Sequence, residues 1–272
     1  MSSTENPTYI TTAEHPQSSS PGPIKPTLLA FHGSGSNATV HTVQLARLMR
    51  LLRPHFDVES LEAPFASPAG PGVLPFFDGC GPFYRWLPPS QKITLESMRA
   101  QSSTSELAPE VEALIKSTVQ RIRAAGGRVV GLIGFSQGTK IVAGLLRASE
   151  FVKEYGLTGE DVDWLDFSFG LSVCGSYAPL LMPGAVRKRL PPGVDYLEGK
   201  IRKPTFHVQG TQDEWEWAGK GLIERHYEKG EGKSEVVEWD MGHHYPVEAE
   251  QSERIAEWAV GVWKGIEGGE VR

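Results

Sequence analysis

Gly134-Phe135-Ser136-Gln137-Gly138 places a serine between two glycines, directly after the apolar run Val129 to Phe135 and before a stretch carrying Ile141, Val142, Leu145 and Leu146. A G-x-S-x-G pattern between a strand and a helix forces a tight turn that lifts the serine hydroxyl above the sheet. The flanking glycines are needed because the turn leaves no room for side chains there. The chemistry implied is nucleophilic attack on an acyl carbon. A serine hydroxyl at its ordinary pKa is a weak nucleophile, so the turn calls for a histidine base and an orienting acid, arriving in the chain order Ser, Asp, His.

Both follow. The run Thr205 to Gln209 leads into Gly210-Thr211-Gln212-Asp213, and the run Val236 to Trp239 leads into Met241-Gly242-His243-His244. Each group thus sits on a loop beyond the carboxyl end of a predicted strand, where it can reach the same sheet edge as Ser136. Asp240 and Glu214 compete with Asp213 for the acid role. Asp213 is favoured, because Asp240 would have to fold back along its own short loop, whereas an acid on a separate strand end orients the imidazole without strain. His243 is favoured as the base since it directly follows Gly242, with His244 read as a neighbour that lines the pocket. His207 lies within a strand and His15 in the N-terminal tail, so neither is given chemistry.

A tetrahedral intermediate also needs donors for its oxyanion. Phe31-His32-Gly33-Ser34-Gly35-Ser36 follows the first clear strand, and the backbone N–H of Ser34 is the expected first donor. The second comes from the residue after the nucleophile, Gln137. The same glycine-rich turn could be imagined to cradle phosphate, but neither G-x-x-x-x-G-K-[ST] nor G-x-G-x-x-G occurs. No metal or cofactor is implied.

The elements that must position these groups are read from periodicity. Short apolar runs at Thr27 to Phe31, Val58 to Leu61, Val129 to Phe135, Phe167 to Val173, Thr205 to Gln209 and Val236 to Trp239 alternate with helical stripes. This is the pattern of an α/β fold, a mostly parallel central sheet with helices on both faces; two-sided burial makes the strands read as unbroken runs. Leu107, Val111, Leu114, Ile115, Thr118 and Ile122 form one stripe, and Ile255, Trp258, Ala259, Val262 and Trp263 another; both are expected to pack on the sheet.

The segment from Ala63 to Pro89 breaks the alternation. It is rich in Pro and Gly and concentrates Phe65, Phe76, Phe77, Phe83, Tyr84 and Trp86. It either covers a substrate pocket or closes the edge of the core as an aromatic plug. On the first reading Phe76, Phe77, Phe83 and Trp86, with His244, line the pocket, and residues 63–100 form an aromatic-rich pocket or lid segment. Residues 1–25 read as a disordered tail and 26–272 as one domain. Met1 to Pro23 is rich in Ser, Thr and Pro, with neither an apolar core nor any Arg, so it matches neither a secretory signal nor a mitochondrial presequence.

Composition narrows the partners. At 272 residues, 39% hydrophobic and 22% charged, the chain can bury a sizeable core, and no apolar run approaches the length that spans a bilayer. A formal charge of -6 opposes the basic footprint of nucleic-acid binding. Two cysteines far apart in sequence, Cys80 and Cys174, read as reduced thiols in a cytoplasmic setting.

Taken together, Leu-Leu-Ala-Phe-His-Gly, Ala-Pro-Phe, Tyr84-Arg85-Trp86, Gly-Phe-Ser-Gln-Gly, Gly-Thr-Gln-Asp and Gly-His-His-Tyr-Pro resemble the fungal FSH-type serine hydrolases over roughly Pro26 to Lys264. The resemblance implies an α/β-hydrolase fold, a triad of Ser136, Asp213 and His243, no cofactor, and action on esters or thioesters. Members similar to this chain often accompany polyketide synthases, releasing an acyl chain from its carrier protein or hydrolysing a pathway ester. The chain departs from the pattern at Met241, where a glycine commonly precedes the Gly-His pair, and in its longer N-terminal tail. The triad alone leaves open acyl transfer to an alcohol or amine, and a non-catalytic ligand-binding protein on the same scaffold.

Overall fold

The computed structural model describes residues 24–269; the tail expected at the N-terminus falls almost wholly outside them. The elements run β1 (Thr27–Phe31), α1 (Ala38–Gln44), α2 (Ala46–Leu52), β2 (Asp57–Leu61), β3 (Phe65–Ser67), β4 (Phe83–Arg85), α3 (Leu95–Arg99), α4 (Pro109–Ala124), β5 (Val129–Phe135), α5 (Gly138–Glu154), β6 (Phe169–Val173), α6 (Gly184–Arg187), β7 (Thr205–Gly210), α7 (Glu216–His226), β8 (Ser234–Trp239) and α8 (Ala249–Glu267). Six strands form one sheet in the order β2-β1-β5-β6-β7-β8, every neighbour parallel.

The strand sequences show why. Along β1, Leu28 and Ala30 join a cluster with Leu48 and Leu52 of α2 and Ile255, Ala259 and Trp263 of α8. Leu29 and Phe31 point the other way, into a cluster with Val111 and Ile115 of α4 and Ile141 and Leu145 of α5. A strand apolar on both faces buries everything it carries: Leu28, Leu29 and Phe31 are fully buried, each contributing about 1.5–3 kcal/mol. That offsets the roughly 1–2 kcal/mol per residue that ordering the backbone costs. α4 starts with proline in its first turn, followed by Glu110 and Glu112, and ends with Arg121 and Arg123, charges that match its dipole.

Two-sided burial holds for the inner strands and not for the edges. β2 and β8 carry Asp57, Glu59, Glu235 and Glu238 at half-buried or exposed positions, because each has a neighbour on one side only. β6 also begins at Phe169, two residues later than the apolar run suggested. Within the aromatic segment, β3 and β4 form a small antiparallel hairpin that the irregular composition concealed. No helix among the described residues is long and apolar enough to cross a membrane.

The topology positions the site. From β1 the chain moves outward to β2, then returns to place β5 on the other side of β1. Connections that leave neighbouring strands in opposite directions open a crevice at their carboxyl ends. The loop after β1 and the turn after β5 meet there, and the parallel strands β7 and β8 end at the same edge.

Candidate active site

β5 ends at Phe135, and Ser136 takes a left-handed backbone with φ of 48° before α5 begins at Gly138. For a residue with a Cβ that conformation costs about 1–2 kcal/mol. The two glycines are obligatory: a Cβ on Gly134 would lie 2.8 Å from the Gly138 carbonyl carbon, and one on Gly138 would lie 2.2 Å from the Phe31 carbonyl oxygen. The Ser136 N–H donates to the Val173 carbonyl at 3.1 Å, which ties the turn to β6.

Asp213 and His243 come from the loops after β7 and β8. The Gln212 N–H donates to the Met241 carbonyl at 3.1 Å, joining the two loops. His243 Nδ1 lies 2.7 Å from Asp213 Oδ2, and the Trp215 N–H donates to Asp213 Oδ1 at 2.8 Å. The carboxylate is buried, with its side chain 1% exposed. Burial works to raise its pKa, but the hydrogen bond and charge of His243, the Trp215 N–H and the Cys174 thiol together hold it below the usual carboxylate value. The rival acids, Asp240 and Glu214, are both exposed. Phe135 packs its ring 5.0 Å from that of His243. Among the described residues no hydrogen bond joins Ser136 Oγ to His243, a contact that hydrolases commonly tighten only with substrate in place.

Neither the Ser34 nor the Gln137 backbone N–H has an acceptor among the described residues, and both residues line a cavity together with Ser136 and His243. Behind them stands a framework that sequence reasoning missed. Fully buried His32 accepts the Ala63 N–H at Nε2, 3.1 Å, so Nδ1 carries the proton and donates to the Gly33 carbonyl at 2.7 Å. Burial lowers the His32 pKa to about 4, keeping the ring neutral. Trp86 donates its indole N–H to the His32 carbonyl at 2.7 Å, and its backbone N–H to Gln137 Oε1 at 2.7 Å. One residue of the aromatic segment therefore fixes both loops that carry the free N–H groups. Tyr84 adds to this, exchanging backbone hydrogen bonds with Ser36.

The residues expected to line the pocket lie elsewhere. Trp86 is wholly buried behind the loops, Phe76 is 84% exposed to solvent, and Phe77 and Phe83 do not reach the cavity. His244 is exposed and turns back to donate to the Tyr245 carbonyl at 2.8 Å. The cavity beside Ser136, about 320 Å³, is walled instead by Pro71, Ile93, Leu95, Met98, Tyr177 and Trp215. Leu95 and Met98 share a face of α3, an i, i+3 pair too short to register as a stripe; Tyr177 and Trp215 sit in loops after β6 and β7. A second groove, about 400 Å³, between Arg123, Lys153, Asp163 and Lys203 holds none of the candidate groups.

Cys174 Sγ stands within 4.8 Å of the ligand atoms of Asp213 and His243, a donor set of the type that binds soft cations. Burial, followed by the charge of Asp213, pushes the thiol far above its ordinary pKa. The thiol donates toward the His244 and Gly242 carbonyls at 3.5 and 3.7 Å.

Comparison with known proteins gives four findings. The profile of a family described as "Serine hydrolase (FSH1)" matches residues 22–255. Esterase FUS5 of Gibberella fujikuroi is 28% identical over 233 residues, covering 86% of this chain and 85% of the esterase. A protein of Aspergillus terreus named dihydromonacolin L-[lovastatin nonaketide synthase] thioesterase is 32% identical over 231 residues, covering 80% of this chain and 85% of its own length. Among solved structures, acyl-protein thioesterase 2 of Zea mays superposes with a TM-score of 0.54 at 15% identity, covering 89% of this chain and 95% of its own, a likeness of fold.

Proposed function

This chain belongs to the FSH1 serine hydrolase family and has the α/β-hydrolase fold, and from that premise we propose that it cleaves an ester or thioester through an acyl-enzyme formed on Ser136. The observation that carries the reading is the 2.7 Å pair of His243 and buried Asp213 opening onto the cavity that Ser136 shares. Ser136 Oγ attacks the acyl carbon as His243 Nε2 takes its proton. The Nδ1 proton stays on the imidazole, held by Asp213, which stabilises the imidazolium without becoming protonated. The Ser34 and Gln137 N–H groups receive the oxyanion. Collapse of the intermediate expels the alcohol or thiol, which takes the proton from Nε2. Water then repeats the sequence and frees the acid.

The Aspergillus terreus relative, named a thioesterase of a nonaketide synthase, supports an acyl group of polyketide origin, and the esterase and thioesterase names support its presentation as a small ester or as a thioester on a carrier protein. The cytoplasm suits two cysteines that are both free thiols. A fluorophosphonate probe tests the assignment: it should label Ser136, and Ser136→Ala should abolish labelling and lower kcat on a chromogenic ester by about 10⁶-fold if the triad acts as a unit. Persistent labelling or turnover in the variant would overturn it.

A further inference from the structure

Beside the turn at Ser136 the sheet makes a second one like it. β5 and β6 pair with Phe135 opposite Val173, so Ser136 and Cys174 are the next residues on adjacent strands, and both are left-handed, with φ of 48° and 47°. Their backbones are tied alike: Ser136 N–H donates to the Val173 carbonyl at 3.1 Å and Cys174 N–H to the Val208 carbonyl at 2.9 Å. Left-handed backbone is unfavourable for any residue with a Cβ, and it persists where surroundings impose it, most often at functional sites. At Ser136 the strain presents the nucleophile. At Cys174 it presents a thiol.

That thiol has two acceptors. Sγ lies 3.5 Å from the His244 carbonyl and 3.7 Å from the Gly242 carbonyl, the residues on either side of His243. It also lies within 4.8 Å of the Asp213 carboxylate and the His243 ring nitrogen. Asp213 receives the Trp215 N–H on Oδ1 and the His243 Nδ1–H on Oδ2, with Cys174 Sγ standing beside both groups. A thiol is a weak donor, yet shared between two carbonyls it ties down the loop that aims His243 Nδ1 at the carboxylate.

We propose that Cys174 is a positioning residue for the acid–base pair, its S–H donating to the Gly242 and His244 carbonyls while its sulfur props the His243 loop against Asp213. The proposal rests on the reading of Ser136, Asp213 and His243 as the triad. Cys174→Ala deletes the donor and the prop; Cys174→Ser keeps a small donor at the same place. Expected for Cys174→Ala is a kcat about tenfold lower, the scale of one hydrogen bond, with KM unchanged and a displaced NMR resonance for the His243 Nδ1 proton. Cys174→Ser should recover most of the rate and return the resonance toward its original position. A Cys174→Ala enzyme with normal kcat and an unmoved resonance would overturn the proposal, as would a serine variant that loses as much as the alanine. Ser136→Ala measured alongside separates the two readings. If it still turns over, the triad assignment fails; if it is dead while Cys174→Ala is fully active, only the role of Cys174 fails.

Discussion

Asp213→Asn is the sharpest perturbation of the acid–base pair because the structure dictates how the new amide must sit. Oδ1 accepts the Trp215 N–H at 2.8 Å and Oδ2 faces His243 Nδ1 at 2.7 Å, with the side chain almost wholly buried. If the amide oxygen faced His243, the NH₂ would meet the Trp215 N–H, two donors head to head in a dry site, at a penalty of about 1–3 kcal/mol. The other orientation keeps the Trp215 bond and turns the NH₂ toward His243, forcing Nδ1 to accept and leaving the imidazole proton on Nε2. That nitrogen can then no longer take the Ser136 proton. The expected loss in kcat is roughly 10⁴-fold, the magnitude of the equivalent change in a serine protease triad, or about 5.4 kcal/mol of barrier. Initial rates on a p-nitrophenyl ester, with circular dichroism to confirm folding, would measure it. Asp240→Asn should cost less than about threefold, since an exposed carboxylate makes a small contribution. A folded Asp213→Asn enzyme within tenfold of the parent, or an equal loss from Asp240→Asn, would refute the reasoning.

The left-handed backbone of Ser136 sets function against stability: Ser136→Gly should melt above Ser136→Ala by about 1 kcal/mol, or roughly 2 °C by calorimetry, although both are inactive. Burial lowers the pKa of His32 to about 4 and of His207 and His226 to about 3, with His41 also well below its ordinary value. The unfolded chain therefore binds protons near pH 6.5 that the folded chain refuses; stability is complete above that pH and falls as pH drops toward 4, by up to about 1.4 kcal/mol per pH unit for each histidine. Denaturant melts at pH 7 and 5 should show the fall, and His32→Gln should make it shallower by one histidine's share, leaving that of His41, His207 and His226. Met98→Ala should lower kcat/KM progressively as an acyl ester lengthens from acetyl to octanoyl, because each buried CH₂ contributes about 0.8 kcal/mol, whereas Phe76→Ala should leave the series unchanged; a uniform drop for Met98→Ala would exclude it from acyl binding.

What the sequence made legible was whatever short-range rules govern. The strand runs are visible because an inner parallel strand must be apolar on both faces, and the turn at Ser136 because it tolerates only glycine on either side. Chain order and strand ends also pointed to the pairing of Asp213 with His243, since parallel strands deliver their following loops to one edge. The cavity walls were illegible for a matching reason. Pro71, Ile93, Tyr177 and Trp215 from loops and Met98 from α3 converge only in three dimensions, and no local pattern marks convergence.

The aromatic segment left two readings open, and the structure divides it between them: Trp86 is buried behind the loops, while Pro71 of the same stretch borders the cavity. Aromatic density marks burial, yet burial against substrate and burial against a neighbouring loop have the same composition. Trp86 shows the difference, for both its N–H groups are spent on His32 and Gln137, and a side chain so committed cannot also yield to an acyl chain. Its role is therefore to hold rigid the two loops whose free N–H groups face the cavity. Removing it should act on the oxyanion step, lowering kcat alike for short and long esters. Trp86→Phe keeps an aromatic ring but removes the indole N–H together with the five-membered ring of a fully buried side chain, so it should lower kcat by at least about tenfold, the scale of one hydrogen bond, with no chain-length dependence. A loss that instead grew with acyl length would return Trp86 to the pocket wall.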